Sequence, residues 1–128
     1  MKMIRYASIV FLVLLLFATT AFAEAPAPFC KAKEYALKMN MDSEGDYVWE
    51  FSKNGDGQQI RYALVYLAQR KVILIARNVF VVAYMEETKE LGAATFMGYG
   101  FVQIEKSREE IIEFAFRIFR ELVEAGAI

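Results

Sequence analysis

Apolar positions change their spacing several times along this chain, and each change marks a new element. Ala32, Tyr35, Ala36 and Met39 recur at i, i+3, i+4 and i+7, while Lys31, Lys33, Glu34 and Lys38 take the other faces. That spacing predicts an amphipathic helix from Cys30 to Met41. Asn40 to Asp46 gathers residues that compete with helical backbone bonds, so a turn follows. From Tyr47 the period falls to two. Tyr47, Trp49 and Phe51 alternate with Val48, Glu50 and Ser52, which places three aromatic rings on one face of a strand. Asn54-Gly55-Asp56-Gly57 supplies the residue types that reach positive φ in a tight reversal, predicting a hairpin into Gln59–Ala68. A helix over Ile60–Leu67 competes there, because Asp56 and Gln59 have capping-box spacing. The β-branched and aromatic residues Ile60, Tyr62, Val65 and Tyr66 favour the strand.

Val72–Ala76 and Val79–Tyr84 are apolar without alternation, and they form either one bent strand or two strands joined by a tight reversal. Strands of that kind are buried on both faces, so the sheet they build must be covered. Charged Met85–Leu91 reads as an exposed connection, and Thr95–Glu105 as a further strand bulged near Gly98 and Gly100. Ser107 and Glu110 have capping-box spacing, which starts a helix running to about Glu124 and stopping at Gly126. Glu113, Arg117, Arg120, Glu121 and Glu124 share a polar arc on that helix. The remaining apolar arc spans roughly 200°, wider than one sheet contact requires. The pattern therefore predicts a two-layer α+β fold, with an antiparallel sheet of four to five strands and an N-terminal and a C-terminal helix packed on one face.

The first 23 residues follow a different logic. Lys2 and Arg5 precede the apolar run Ala7–Phe17, and Ala21-Phe22-Ala23 supplies small residues at a cleavage site. This is the pattern of a secretory signal peptide cut before Glu24, which gives a periplasmic or secreted product. The alternative is an uncleaved N-terminal anchor, the one route in this reading by which the chain would meet a membrane. Residues 24–29 read as an extended Ala-Pro tether, and 30–128 as one α+β domain. Removing Lys2 and Arg5 with the leader leaves 13 basic against 16 acidic residues, a net charge of −3. That balance argues against nucleic acid as a partner.

The chain has no His and one Cys, which removes the usual transition-metal ligands and most nucleophile–base pairs. No cofactor or metal is expected. An exported chain with a lone Cys30 closes no internal disulfide, although Cys30 could pair with another molecule. Asp42, Glu44 and Asp46 read as a solvated acidic turn rather than a calcium loop. Two surfaces remain as candidate sites. One is the aromatic sheet face of Tyr47, Trp49 and Phe51 with Tyr62 and Tyr66 on the neighbouring strand; the other is the helix face bearing Phe116 and Phe119. Each has a plain alternative, namely the core beneath the helices. The function expected is a non-enzymatic exported protein that binds a protein partner or a small apolar ligand through such a face, with homodimerisation open. Competing expectations are an enzyme using carboxylates or Tyr, and a structural homo-oligomer. Intact-mass measurement of the exported protein should show a chain beginning at Glu24; a membrane-held species retaining Met1 would contradict the cleavage.

Overall fold

The computed structural model describes residues 25–39 and 45–128. They form helix α1 (Ala27–Met39), strands β1 (Asp46–Gly55), β2 (Gln58–Leu67), β3 (Val72–Arg77), β4 (Phe80–Met85), β5 (Glu90–Phe96) and β6 (Phe101–Ile104), and helix α2 (Arg108–Glu124). The leader and the Asp42–Glu44 part of the acidic turn lie outside the described residues.

Helix α1 starts earlier than its apolar spacing suggests, and it takes in three residues expected to lie in the extended tether. The amides of Phe29 and Cys30 both donate to the Pro26 carbonyl, at 2.9 and 3.2 Å, which forms the first turn. Pro28 fits there because a first-turn amide has no intrahelical acceptor to lose, and its fixed φ already suits a helix. Pro28 and Phe29 are buried, so this turn is part of the packing.

The sheet is an antiparallel meander in chain order, β1 to β6. β1 and β2 pair without interruption from Asp46↔Leu67 to Gly55↔Gln58. Asp56 and Gly57 turn the chain with φ of 43° and 79°, the doubly positive geometry that matches strand twist in a two-residue hairpin. The segment where a helix competed is thus β2, paired on both sides.

The α+β class holds, but the sheet has six strands rather than four to five. Val72–Tyr84 is a reversal and not a bent strand, with Asn78 at φ 55° in the turn. The Asn78 amide donates to the Arg61 carbonyl at 2.7 Å, and its side-chain oxygen accepts from the Arg61 amide at 3.0 Å, tying this turn to β2. The other extra strand comes from Thr95–Glu105. Gly98 adopts φ 95° and the Met97 amide donates to the Gly100 carbonyl at 2.9 Å, so the chain reverses where a bulge was expected. β5 also begins at Glu90, inside the stretch read as a connection.

One set of alternating strand positions carries the core. Leu64, Ile75, Val82 and Ala93 are register partners across β2 to β5, and Tyr62, Ile73 and Tyr84 flank them on the same face. Phe29 and Ala32 of α1 and Ile111, Ala115, Ile118, Phe119 and Leu122 of α2 join them in one buried cluster. α2 is fixed at both ends. The Ser107 hydroxyl accepts from the Glu110 amide at 3.1 Å while the Glu110 carboxylate accepts from the Ser107 amide at 2.9 Å. At the other end the amides of Gly126 and Ala127 donate to the carbonyls of Val123 and Leu122, the doubly bonded close of a Schellman motif. Ser107→Ala removes one half of the N-terminal box, so chemical denaturation should show a loss of about 1 kcal/mol. Unchanged stability would contradict the role assigned to this cap.

Candidate interaction surface

The structure brings the predicted aromatic residues of the sheet together. Tyr47 stands opposite Tyr66 and Phe51 opposite Tyr62, with ring centroids 6.3 and 6.2 Å apart. Trp49 stacks on Phe51 at 6.2 Å and meets Tyr35 of α1 at 6.0 Å. The run lies on the face that meets the core cluster. Tyr62 is 2% exposed, and Trp49, Phe51 and Tyr66 are half-buried against the core. The helix pair divides: Phe119 is 7% exposed within the core, whereas Phe116 is 44% exposed. Phe116, Val123 and Tyr35 line an open groove of about 500 Å³ between α1 and α2. The part-buried Cys30 thiol donates to the Ala25 carbonyl at 3.2 Å.

Two polar clusters at the helix–sheet junction escaped the sequence reading. Glu121 stands on the polar arc of α2 by its spacing, yet its carboxylate turns inward to accept from the Tyr62 hydroxyl at 2.6 Å and from Arg77 Nε at 2.7 Å. Glu86, in the β4–β5 turn, accepts from the Tyr66 hydroxyl at 2.9 Å and pairs with Lys33 of α1 at 2.7 Å. The Lys33 ammonium also lies 4.5 Å from the centre of the Tyr66 ring. Each cluster is one carboxylate shared by a phenol and a cation. Burial pushes both carboxyls up, but the hydrogen bonds and the neighbouring cation outweigh it and hold Glu121 and Glu86 below the ordinary carboxylate range. Burial, reinforced by the adjacent carboxylate, raises Tyr62 and Tyr66. Near neutrality the carboxylates stay ionised and the phenols stay protonated, so neither cluster exchanges a proton readily. Their geometry binds α2 to β2 and β3, and α1 to β2 and the β4–β5 turn. Among the described residues no group of three or more His, Cys, Asp or Glu is placed to hold a metal ion.

The opposite face of the sheet contributes nothing to the buried cluster of the described residues. Val65, Leu74, Ala83 and Gly92 are successive register partners across β2 to β5, and Ala63, Ala76, Val81 and Ala94 form the neighbouring row. None of these residues belongs to the core cluster or packs against it, and all are only half-buried. The stretches Asn78–Met85 and Leu91–Ile104 contain no charged residue at all. Leu74, Met85 and Phe101 wall an open trough of about 410 Å³ whose floor is Ala83, Gly92 and Ala94. At one end of this face Phe96 meets Phe101 edge-on at 5.3 Å, and Phe101 and Tyr99 are 62% and 88% exposed. A separate cleft of about 310 Å³ runs between α2 and β4–β6, with an apolar floor and the charged groups Lys106, Glu113 and Arg117 at its rim. Among the described residues no helix is long and apolar enough to cross a membrane. Comparison with family models, with curated proteins and with solved structures returned no match.

Because the folded Glu121 titrates below its ordinary value of 4.5, its stabilisation is complete above that pH and is lost as pH falls through the lower folded value. Glu121→Gln should therefore cost about 1–2 kcal/mol near pH 7, since Arg77 and Tyr62 lose a charged acceptor. The gap from the parent should narrow towards pH 3 in thermal unfolding. A gap independent of pH would contradict the assignment.

Proposed function

We propose that this is an exported, non-enzymatic interaction protein whose working surface is the helix-free face of its sheet. The observation that carries this reading is the row Val65–Leu74–Ala83–Gly92 with its neighbour Val81–Ala94, apolar and half-exposed where no described helix lies over it. With both helices packed over one face, the other face of an antiparallel sheet ordinarily carries polar residues at the alternate positions. β3, β4 and β5 are apolar at both alternations, a pattern that marks a second covering layer. The trough is open and floored by small residues, which suits the apolar surface of a partner protein better than an enclosed small ligand. The non-enzymatic part rests on the lack of His and on clustered carboxylates that are tied into the packing. Export rests on the leader pattern of residues 1–23.

Val81→Lys combined with Ala94→Lys tests the assignment. The pair should fold with native circular dichroism and, at a dilution that leaves the face uncovered in the parent, lose binding of the apolar dye anilinonaphthalene sulfonate relative to it. A double variant that cannot fold would show that the face is internal to the core, and one that binds the dye as well as the parent would place the apolar surface elsewhere.

A further inference from the structure

We infer, resting on that reading of the sheet face, that its occupant is a second copy of this chain, the two helix-free faces stacking into a sandwich with the helices outside. Three features of the face point to a copy. The first is relief. Across the central row the side chains fall from Val65 and Leu74 on β2 and β3 to Ala83 and Gly92 on β4 and β5, so a ridge stands directly beside the trough. A two-fold axis running along the strands between β3 and β4 lays the ridge of each copy in the trough of the other. Such a contact is isologous, because Leu74 meets the Ala83–Gly92 floor twice.

The second feature is charge. Two copies present the same charges to each other, so like-charge repulsion penalises a self-contact unless the surface is neutral. Val65, Leu74, Ala76, Val81, Ala83, Gly92 and Ala94 at the centre of the face carry no charge, and the charged positions on it, Asp46 and Glu50 on edge strand β1, Arg61 towards one end of β2 and Glu90 at the start of β5, stand at its margins. A margin with three carboxylates and one Arg disfavours a lipid surface, which peripheral proteins engage with Lys and Arg around the apolar patch. The third feature is size. Laid over one another by that axis, β2 to β5 overlap over about 20 Å and β1 and β6 over about 13 Å, so strands about 4.8 Å apart give roughly 510 Å² per copy and about 1,020 Å² for two. That clears the approximately 1,000 Å² a specific interface needs. Aligned packing of two twisted sheets about 10 Å apart then supplies the missing layer.

Sedimentation equilibrium on protein purified from cells expressing the full chain, between 1 and 200 µM (on the order of the range that resolves micromolar association), provides the test. The parent should be a dimer whose affinity holds or rises from low to high salt, and Ala83→Lys with Ala94→Lys should weaken it about 100-fold or more while circular dichroism stays native. Phe116→Ser, on the helix side, should leave the dimer intact. A dimer unaffected by the lysines, or one dissolved by salt, overturns the inference. So does a parent that is monomeric throughout. In that last case, binding of anilinonaphthalene sulfonate or laurate that the lysines abolish would keep the face as a binding surface with another occupant, whereas no binding would remove both readings. Should the double variant not fold, the parent's concentration and salt dependence decide between dimer and monomer without it.

Discussion

Everything in this fold depends on one buried cluster, in which the inward positions of β2, β3 and β4 on one face of the sheet meet residues of both helices. Leu64, Ile75 and Val82 are register partners at the centre of that face and are almost wholly removed from water, as are Ala115, Ile118 and Leu122 of α2 and Phe29 of α1. Burying side chains of this size contributes about 1.5–3 kcal/mol each, which sets the scale of the packing against the entropy of ordering the chain. A chain with one Cys gets no help from an internal disulfide, so the helix–sheet layer carries the stability. The polar contacts at the layer's margins are arranged accordingly. Glu121 and Glu86 are each satisfied by a phenol and a cation, so the charged groups that α2 and the β4–β5 turn bring to the junction are not left unpaired.

The same constraint produces the unusual feature of the molecule. Among the described residues the buried cluster takes only one face of a six-stranded sheet, yet the central strands are apolar on both. Placing Val65, Leu74 and Val81 towards water contributes nothing to the monomer, whereas polar residues there would have served solubility. The tip formed by Phe96, Tyr99 and Phe101 extends the apolar surface to the β5–β6 turn. A covering layer resolves the conflict, and a surface with neighbouring ridge and trough, its charges confined to the margins, is suited to meeting its own copy.

Features governed by short-range chemistry were legible in the sequence. Ser107 and Glu110 are three residues apart and Asp56-Gly57 are adjacent, so their caps and turns depend on local backbone geometry alone. The need for a cover over Val72–Tyr84 was also legible, from composition. The number of strands was not, because Gly98 at positive φ serves a bulge and a reversal equally and only the pairing of Phe96 with Phe101 distinguishes them. Pro26 and Pro28 read as helix breakers, although a first turn tolerates proline. Glu121 belonged to the polar arc of α2 by its spacing; its partner Tyr62 lies 59 residues away, and helical periodicity carries no information about such a neighbour. For a similar reason, the face proposed as the working surface was not singled out. Aromatic rings draw attention to Tyr47, Trp49 and Phe51, while the face that no described helix covers is built from Ala, Val, Gly and Leu.

The most direct test of this account is the exposure of the helix-free face in solution. Methyl-labelled protein at high concentration, with a soluble gadolinium relaxation agent, reports how near each methyl lies to solvent. The account predicts that Leu74, Val81, Ala83 and Ala94 are protected nearly as well as the core residues Leu64 and Ile75. Broadening of those four methyls to the extent seen for exposed Val123 would contradict it.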